Sequence, residues 1–208
     1  MRLVTCMITD RARLADQSDA GRLSAVVARV AIAARAGIHL VQVRERDLEG
    51  GALLELVRRC VEAVRGTSTR VLVNDRLDVA LAAGAHGVHL RGDSMPAHRV
   101  RAMASSGFLV GRSVHAPEEA TQADAGGGLD YLIFGPVFST ASKPGMAPAG
   151  LDMLAAVAAA TALPVLAVGG VTPAAAPLVA AAGAAGWAAI GVFAAASDDQ
   201  LRTALQAP

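Results

Sequence analysis

Lys143 is the only lysine of the chain, whose other permanent positive charges are all arginine. It stands in the hydroxyl-rich stretch Ser139-Thr140-Ala141-Ser142-Lys143-Pro144-Gly145, directly after the apolar run Tyr131 to Phe134 and the break Gly135-Pro136. A lone compact ammonium among hydroxyls suits an anion, whereas the plain alternative is a surface lysine on a loop. Gln42, Arg44 and Arg46 extend the same anion chemistry, although Glu45 lies between the two arginines and surface ion pairs with it would contribute little. Asn74-Asp75 precedes a helical pattern, so Asp75 reads either as a site carboxylate or as a helix cap. His89 and His115 alternate with apolar residues, which fits satisfied histidines of a strand as well as proton carriers.

These side chains need a frame. Leu3 to Thr9 reads as a buried strand, and an amphipathic helix from Ser18 to Ala36 follows, closed by Gly37. His39 to Val43 is a second strand and Ala52 to Arg65 a second helix, with Leu53, Leu56, Val57, Cys60 and Val64 on one face. The cycle repeats as strand Arg70 to Val73 with helix Arg76 to Ala83, strand Gly87 to Leu90 with helix Ala97 to Ser105, and strand Phe108 to Val110 with helix Pro117 to Ala125. Three more units follow: the strand at Leu132 with helix Leu151 to Ala160, strand Pro164 to Val168 with helix Pro173 to Ala182, and strand Trp187 to Ile190 with a last helix. Eight strand-then-helix units predict a closed parallel (β/α)8 barrel of the TIM type as a single domain over residues 1–208, slightly under its usual size of about 250 residues. An open doubly wound sheet is the competitor, but no Gly-x-Gly-x-x-Gly turn follows the first strand.

In such a barrel the chemistry gathers at the carboxyl ends of the strands. Those ends carry Thr9-Asp10, Gln42 with Arg44, Asn74-Asp75, and His89 followed by Arg91, Asp93 and Ser94. Further along come Ser113 and His115, the loop to Lys143, Gly169-Gly170 and Gly191. Glycines after strands seven and eight let backbone N–H groups approach a phosphate, while the plain reading of Gly169-Gly170 is a tight turn.

Composition excludes several function classes. A net charge of +1 with no Lys/Arg run argues against nucleic acid or an anionic membrane as the main partner. Cys6 and Cys60 fall within a strand and a helix, so buried free thiols of a reducing compartment are expected. Apolar runs are broken by Gly and Pro before they reach membrane-spanning length, and a soluble, cytoplasmic protein is expected. Neither a Cys cluster nor a His-x-x-x-His supports zinc, and no Gly-x-Ser-x-Gly elbow supports a serine hydrolase.

Taken in order, Val41-Gln42-Val43-Arg44-Glu45-Arg46-Asp47, Val73-Asn74-Asp75, Gly87-Val88-His89-Leu90, Gly111-Arg112-Ser113-Val114-His115, Gly135-Pro136-Val137-Phe138-Ser139-Thr140-Ala141-Ser142-Lys143 and Val168-Gly169-Gly170-Val171 resemble the signatures of the thiamine-phosphate synthase and TenI-like superfamily. The resemblance runs from about Leu3 to Phe193. It implies a phosphate-binding barrel acting on small phosphorylated heterocycles, with homodimers common. In the synthase branch it implies a transferase that joins hydroxymethylpyrimidine diphosphate to thiazole phosphate, releasing diphosphate and forming thiamine phosphate. Diphosphate departure leaves a pyrimidine-methyl cation for the thiazole nitrogen to capture, so cations and Mg²⁺ belong on the leaving group. By resemblance, Gln42, Arg44 and Arg46 line the diphosphate site with Asn74 and Ser113 nearby, Asp75 holds Mg²⁺, and Lys143 reaches the diphosphate. Thr140, Ser142 and the Gly169-Gly170 backbone take the thiazole phosphate, and His89, His115 and Gly191 complete the substrate-binding set.

The chain departs from the synthase pattern at Arg46, where that pattern has lysine, and at Ser94, where it has a metal-binding aspartate. Asp93 stands one residue earlier as the candidate replacement, and Ile190 replaces a phosphate-holding serine. Arg-Glu-Arg and Gly-Arg-Ser-Val-His look more like the TenI branch, some members of which tautomerise a thiazole carboxylate phosphate by acid/base catalysis. That branch has a histidine where this chain has Pro136, which leaves His89 and His115 as alternative proton carriers by position. A tautomerase or a non-catalytic ligand-binding barrel therefore stand as alternatives, and fold does not choose among them. Pro144-Gly145 and the Gly/Pro content up to Gly150 predict a lid.

Overall fold

The computed structural model describes residues 3–14, 18–140, 145–195 and 198–206. Its strands are β1 (Val4–Ile8), β2 (Leu40–Val43), β3 (Arg70–Asn74), β4 (Gly87–Leu90), β5 (Leu109–Val114), β6 (Tyr131–Phe134), β7 (Val165–Val168) and β8 (Gly186–Ala189). They succeed one another in sequence order around a closed barrel, as the alternating pattern predicts. Between them run α1 (Asp19–Arg35), α2 (Gly50–Ala63), α3 (Leu77–Ala82), α4 (Ala97–Met103), α5 (Pro117–Ala125), α6 (Gly150–Ala159) and α7 (Ala176–Ala181). α8 (Gly191–Ala195) and α9 (Asp198–Gln206) follow β8. β2, β4, β6 and β8 are buried at every residue, Gln42 and His89 included, as fits parallel strands covered on both faces.

Packing divides the chain into two units, Met1–Val4 with His89–Ala189 and Thr5–Val88 with Ile190–Pro208. In the second of these, β1 and β2 pair in the register Ile8 to Gln42, and β2 and β3 in the register Gln42 to Leu72. Val30, Val41, Leu56, Val57 and Val73 fill its interior. Cys6 and Cys60 are free and buried there, as expected, and burial pushes both thiols up to about 12, far from reactive thiolates. In the other unit β5 pairs with β6 from Gly111 opposite Tyr131 to Val114 opposite Phe134, over a core that includes Leu132, Leu154 and Leu166.

Local chemistry sets the element ends. The Ser18 hydroxyl accepts from the Gly21 N–H at 3.0 Å and so caps α1. β5 runs on to Val114 rather than stopping at Val110, because ladder bonds to β6 hold the polar Arg112 and Ser113 in the strand. The helix expected over Pro173 to Ala182 is a 3-10 turn (Pro173–Ala175), capped by the Thr172 hydroxyl, followed by α7. Pro177, in the first turn of α7, has no N–H to donate back to the turn, so the two cannot merge into one regular helix. Among the described residues no helix is long and apolar enough to cross a membrane.

Candidate active site

β2 delivers Gln42 and, just beyond its end, Arg44. Gln42 is 2% exposed, and among the described residues its side-chain Nε2 has no hydrogen-bond partner. A buried donor left unpaired costs about 1–3 kcal/mol, so it is a feature to be explained by something that binds. The Arg44 backbone N–H donates to the buried Thr9 hydroxyl at 3.0 Å, fixing the end of β2 to the end of β1. Burial, and then the charge of Arg46, lower the half-buried Arg44 guanidinium from its ordinary value.

Glu45 does not relieve that repulsion by pairing with its neighbours. Its buried carboxylate accepts the Arg11 backbone N–H at 3.1 and 3.2 Å and the Arg11 Nη1 at 3.4 Å. Asp47 turns the same way and accepts Arg11 Nη1 and Nη2 at 2.6 and 2.7 Å, bonds that hold its carboxyl below the usual range. Among the described residues neither Arg44 nor Arg46 enters an ion pair, although the charges of Asp10 and Glu45 still act on Arg44, so the surface-pair reading does not describe this end of β2.

Asn74 ends β3, and the residue after it adopts φ 62 at Asp75, the left-handed region that non-glycine residues occupy only under constraint. The cap reading of this pair fails. The residue preceding α3 is Arg76, which makes no side-chain cap bond and instead donates to Asp78 at 2.9 and 2.6 Å. Gly191 opens α8 with no atom within 4 Å of where a Cβ would stand, and the half-buried Ile190 precedes it.

The unit that begins at His89 holds a different arrangement. His89 is 2% exposed, with Nε2 at 2.9 Å from the Ser113 hydroxyl and Nδ1 at 3.1 Å from the Tyr131 hydroxyl. Burial, and then the charge of Arg112, push its pKa down to about 3, so the ring is neutral. Both ring nitrogens of His89 are thus engaged by hydroxyl groups. His115 is exposed, and its Nδ1 lies 3.0 Å from the Gly135 carbonyl. A carbonyl only accepts, so Nδ1 carries a proton and donates it to Gly135. Asp93 is exposed and paired with Arg91 at 2.6 Å, while the Ser94 hydroxyl accepts the Arg91 N–H at 2.8 Å.

Gly169 and Gly170 are more than a tight turn. Both have left-handed φ, 92° and 65°, and a Cβ on Gly169 would lie 2.5 Å from the Pro136 Cβ, on Gly170 2.8 Å from that of Phe138. The Val137 and Phe138 N–H groups donate to the Val168 and Gly169 carbonyls at 2.9 Å each, so the start of the β6 loop lies flat on the end of β7 after the cis Gly135-Pro136 bond. Thr140 is half-buried; Ser142 and Lys143 lie outside the described residues, as does Pro144 of the expected lid.

Among the described residues no three His, Cys, Asp or Glu side chains gather as a metal centre. Magnesium asks for less, since one or two carboxylates with substrate phosphate oxygens and waters suffice. Asp75, a hard oxygen donor on a constrained backbone, fits that requirement, whereas Asp93 would have to exchange Arg91 for the ion.

The family model for thiamine monophosphate synthase matches residues 5–193. The chain belongs to the thiamine monophosphate synthase family. A thiamine-phosphate synthase of Natronomonas pharaonis is 39% identical over 190 residues, which are 90% of this chain and 87% of that protein. One of Roseiflexus castenholzii is 37% identical over 203 residues, 97% and 86% of the respective chains. A solved structure described as thiamine phosphate pyrophosphorylase from Pyrococcus furiosus matches with a TM-score of 0.80 at 30% identity, covering 98% of this chain and 96% of that one.

Within this member of the thiamine monophosphate synthase family, two residues at the candidate sites were not legible as such. Arg11 reads as a surface charge after β1, yet it gathers Glu45 and Asp47. Tyr131 reads as one more apolar residue of β6, and the signal that singles it out is that the chain has no other tyrosine.

Proposed function

We infer that the protein is a transferase of the thiamine-phosphate synthase type, joining hydroxymethylpyrimidine diphosphate to thiazole phosphate with release of diphosphate. The observation that carries this reading is the trio at the end of β2, the buried Gln42 with its Nε2 unpaired and two arginines outside any ion pair among the described residues. Gln42 near the end of β2 and Arg44 just beyond it bring a donor and a charge to the same strand end. A diphosphate supplies the acceptors and the negative charge that this trio lacks, and its charge grows as it leaves. Asn74 extends the donor set, and Ser113 and Lys143 are assigned to the leaving group. Thr140, Ser142 and the N–H groups of Gly169 and Gly170 are assigned to the thiazole phosphate, with Gly191 beside them in role.

Asp75, with Asp93 as its auxiliary, would hold Mg²⁺, which when bound neutralises diphosphate charge as a Lewis acid. What the chain itself does is orient the diphosphate by charge-assisted hydrogen bonds and keep donors in place while the carbon–oxygen bond breaks. Cytoplasmic residence, in keeping with reduced Cys6 and Cys60, and a homodimer belong to the same proposal. Sedimentation of the purified protein decides the oligomeric state.

The test is direct. Purified protein with both substrates and Mg²⁺ is expected to form thiamine phosphate and diphosphate, and no Mg²⁺-dependent product at high enzyme concentration would sink the assignment. One observation favours a second reading as thiazole tautomerase, the exposed His115 ring held through Nδ1 by the Gly135 carbonyl. Conversion of the thiazole carboxylate tautomer that is indifferent to EDTA and abolished by His115→Asn would establish it.

A further inference from the structure

Tyr131 lies across its β5 neighbour. A Cβ added to Gly111, its register partner, would fall on the phenol ring, 2.5 Å from the hydroxyl, so the glycine opens the space through which that hydroxyl reaches His89. The hydroxyl is 3.1 Å from His89 Nδ1, and the rings are 5.7 Å apart and tilted by 32°. On the other side of the imidazole, Nε2 meets the Ser113 hydroxyl at 2.9 Å. His89 and Tyr131 are 2% and 5% exposed, while Ser113 is half-buried and ends the chain of contacts nearest solvent.

A neutral imidazole has one donor and one acceptor, so the three groups have two self-consistent arrangements. If Nδ1 accepts from the phenol, Nε2–H donates to Ser113 and the serine keeps its own proton for a ligand. If Nδ1–H donates to the phenol oxygen, Nε2 takes the serine proton and Ser113 offers only lone pairs. An anionic ligand binds the first arrangement and is repelled by the second. A phenol is also a stronger donor than an aliphatic hydroxyl, as its lower pKa of about 10 records, so it prefers to give its proton to Nδ1.

We propose that Tyr131 is a positioning residue that fixes His89 as the Nε2–H tautomer and thereby reserves the Ser113 proton for the departing diphosphate. This rests on the synthase reading for the identity of the anion; the tautomer itself does not depend on it. Neither Tyr131 nor His89 touches the substrate. Their contribution is to commit Ser113 as a donor before the leaving group acquires its full charge, when an uncommitted hydroxyl would first have to reorient.

The experiment reads the tautomer by ¹⁵N NMR of the imidazole in the intact protein, with and without inorganic diphosphate and Mg²⁺. Expected for the native chain is a single neutral form of His89 protonated at Nε2, unchanged between about pH 5 and 8, where an ordinary histidine titrates. In Tyr131→Phe, Nδ1 loses its donor and both tautomers are expected to be populated, with kcat lowered about tenfold and KM within about twofold. Added to Ser113→Ala, the Tyr131→Phe change is expected to cost nothing further, because the proton it protects is gone. His89→Gln, which can still present an amide N–H to Ser113, is expected to retain more kcat than His89→Leu. An Nδ1–H form in the native protein, or full additivity of Tyr131→Phe with Ser113→Ala, overturns the proposal. Should thiamine phosphate synthesis fail while the Nε2–H form is found, the functional reading falls and the tautomer assignment stands; the reverse result separates them the other way. If Tyr131→Phe does not fold, the native spectrum and the two His89 variants still decide.

Discussion

Glu45 sits between Arg44 and Arg46 in the chain but gives its carboxylate to the backbone N–H of Arg11, at 3.1 and 3.2 Å. The acid nearest in sequence is thereby kept off the two cations that the proposed diphosphate needs. Arg11→Ala leaves the buried Glu45 without its guanidinium partner, and breaking such a pair costs about 3 kcal/mol. A urea titration is expected to show that loss, and Glu45, which keeps the backbone N–H but no longer the guanidinium charge, is expected to weigh more on Arg44 and raise KM for the pyrimidine diphosphate. Unchanged stability and KM would mean that Arg11 screens nothing.

Gln42 separates stability from function. Replacing it with Met removes the unpaired Nε2, so thermal stability is expected to hold or rise by roughly 1 kcal/mol. Affinity for diphosphate is expected to fall in the same variant. A stability loss above about 2 kcal/mol would show that the amide has a partner in the folded protein.

Gly169, Gly170 and Gly191 were grouped by sequence and differ in the room around each α-carbon. Alanine at Gly169 or Gly170 meets the β6 loop and a left-handed φ together, and each is expected to destabilise the protein by more than about 1 kcal/mol and weaken binding of thiazole phosphate. Gly191→Ala, with open space at its α-carbon, is expected to fold normally in a melt. Equal tolerance at all three positions would contradict the packing of the β6 loop on β7.

Acid is expected to destabilise the protein through the half-buried His86 and the buried His89. His86 accepts the Val71 N–H on Nδ1 at 3.0 Å, and burial followed by the charge of Arg70 lowers its pKa. For His89 the fall is from 6.5 to about 3, caused by burial and then by Arg112. Both folded pKa values lie below the unfolded ones, so the unfolded chain binds more protons in between. Stability is therefore complete above about pH 6.5 and is lost as pH falls, at about 1.4 kcal/mol per pH unit for His89. Urea midpoints between about pH 4 and 7 check this, and His89→Gln is expected to flatten the slope.

The sequence by itself determined the architecture. Eight apolar runs alternating with amphipathic ones admit few solutions, and their punctuation by glycine placed β4 and α5 to the residue. It also brought forward Gln42, Arg44, Asn74-Asp75, Ser113 and Gly169-Gly170, because polar residues and glycines at strand ends stand out against an aliphatic background. Tertiary structure alone decided what each one does. Which group Glu45 binds depended on Arg11, 34 positions away, and what engages the His89 ring depended on Tyr131, 42 positions away. Such partners leave no periodic trace in the chain, since hydrogen bonds form between groups brought together by the sheet register. The same register kept Arg112 and Ser113 in β5, where their polarity suggested a loop. Local pattern is set by which face of an element is buried; pairing is set by which elements become neighbours.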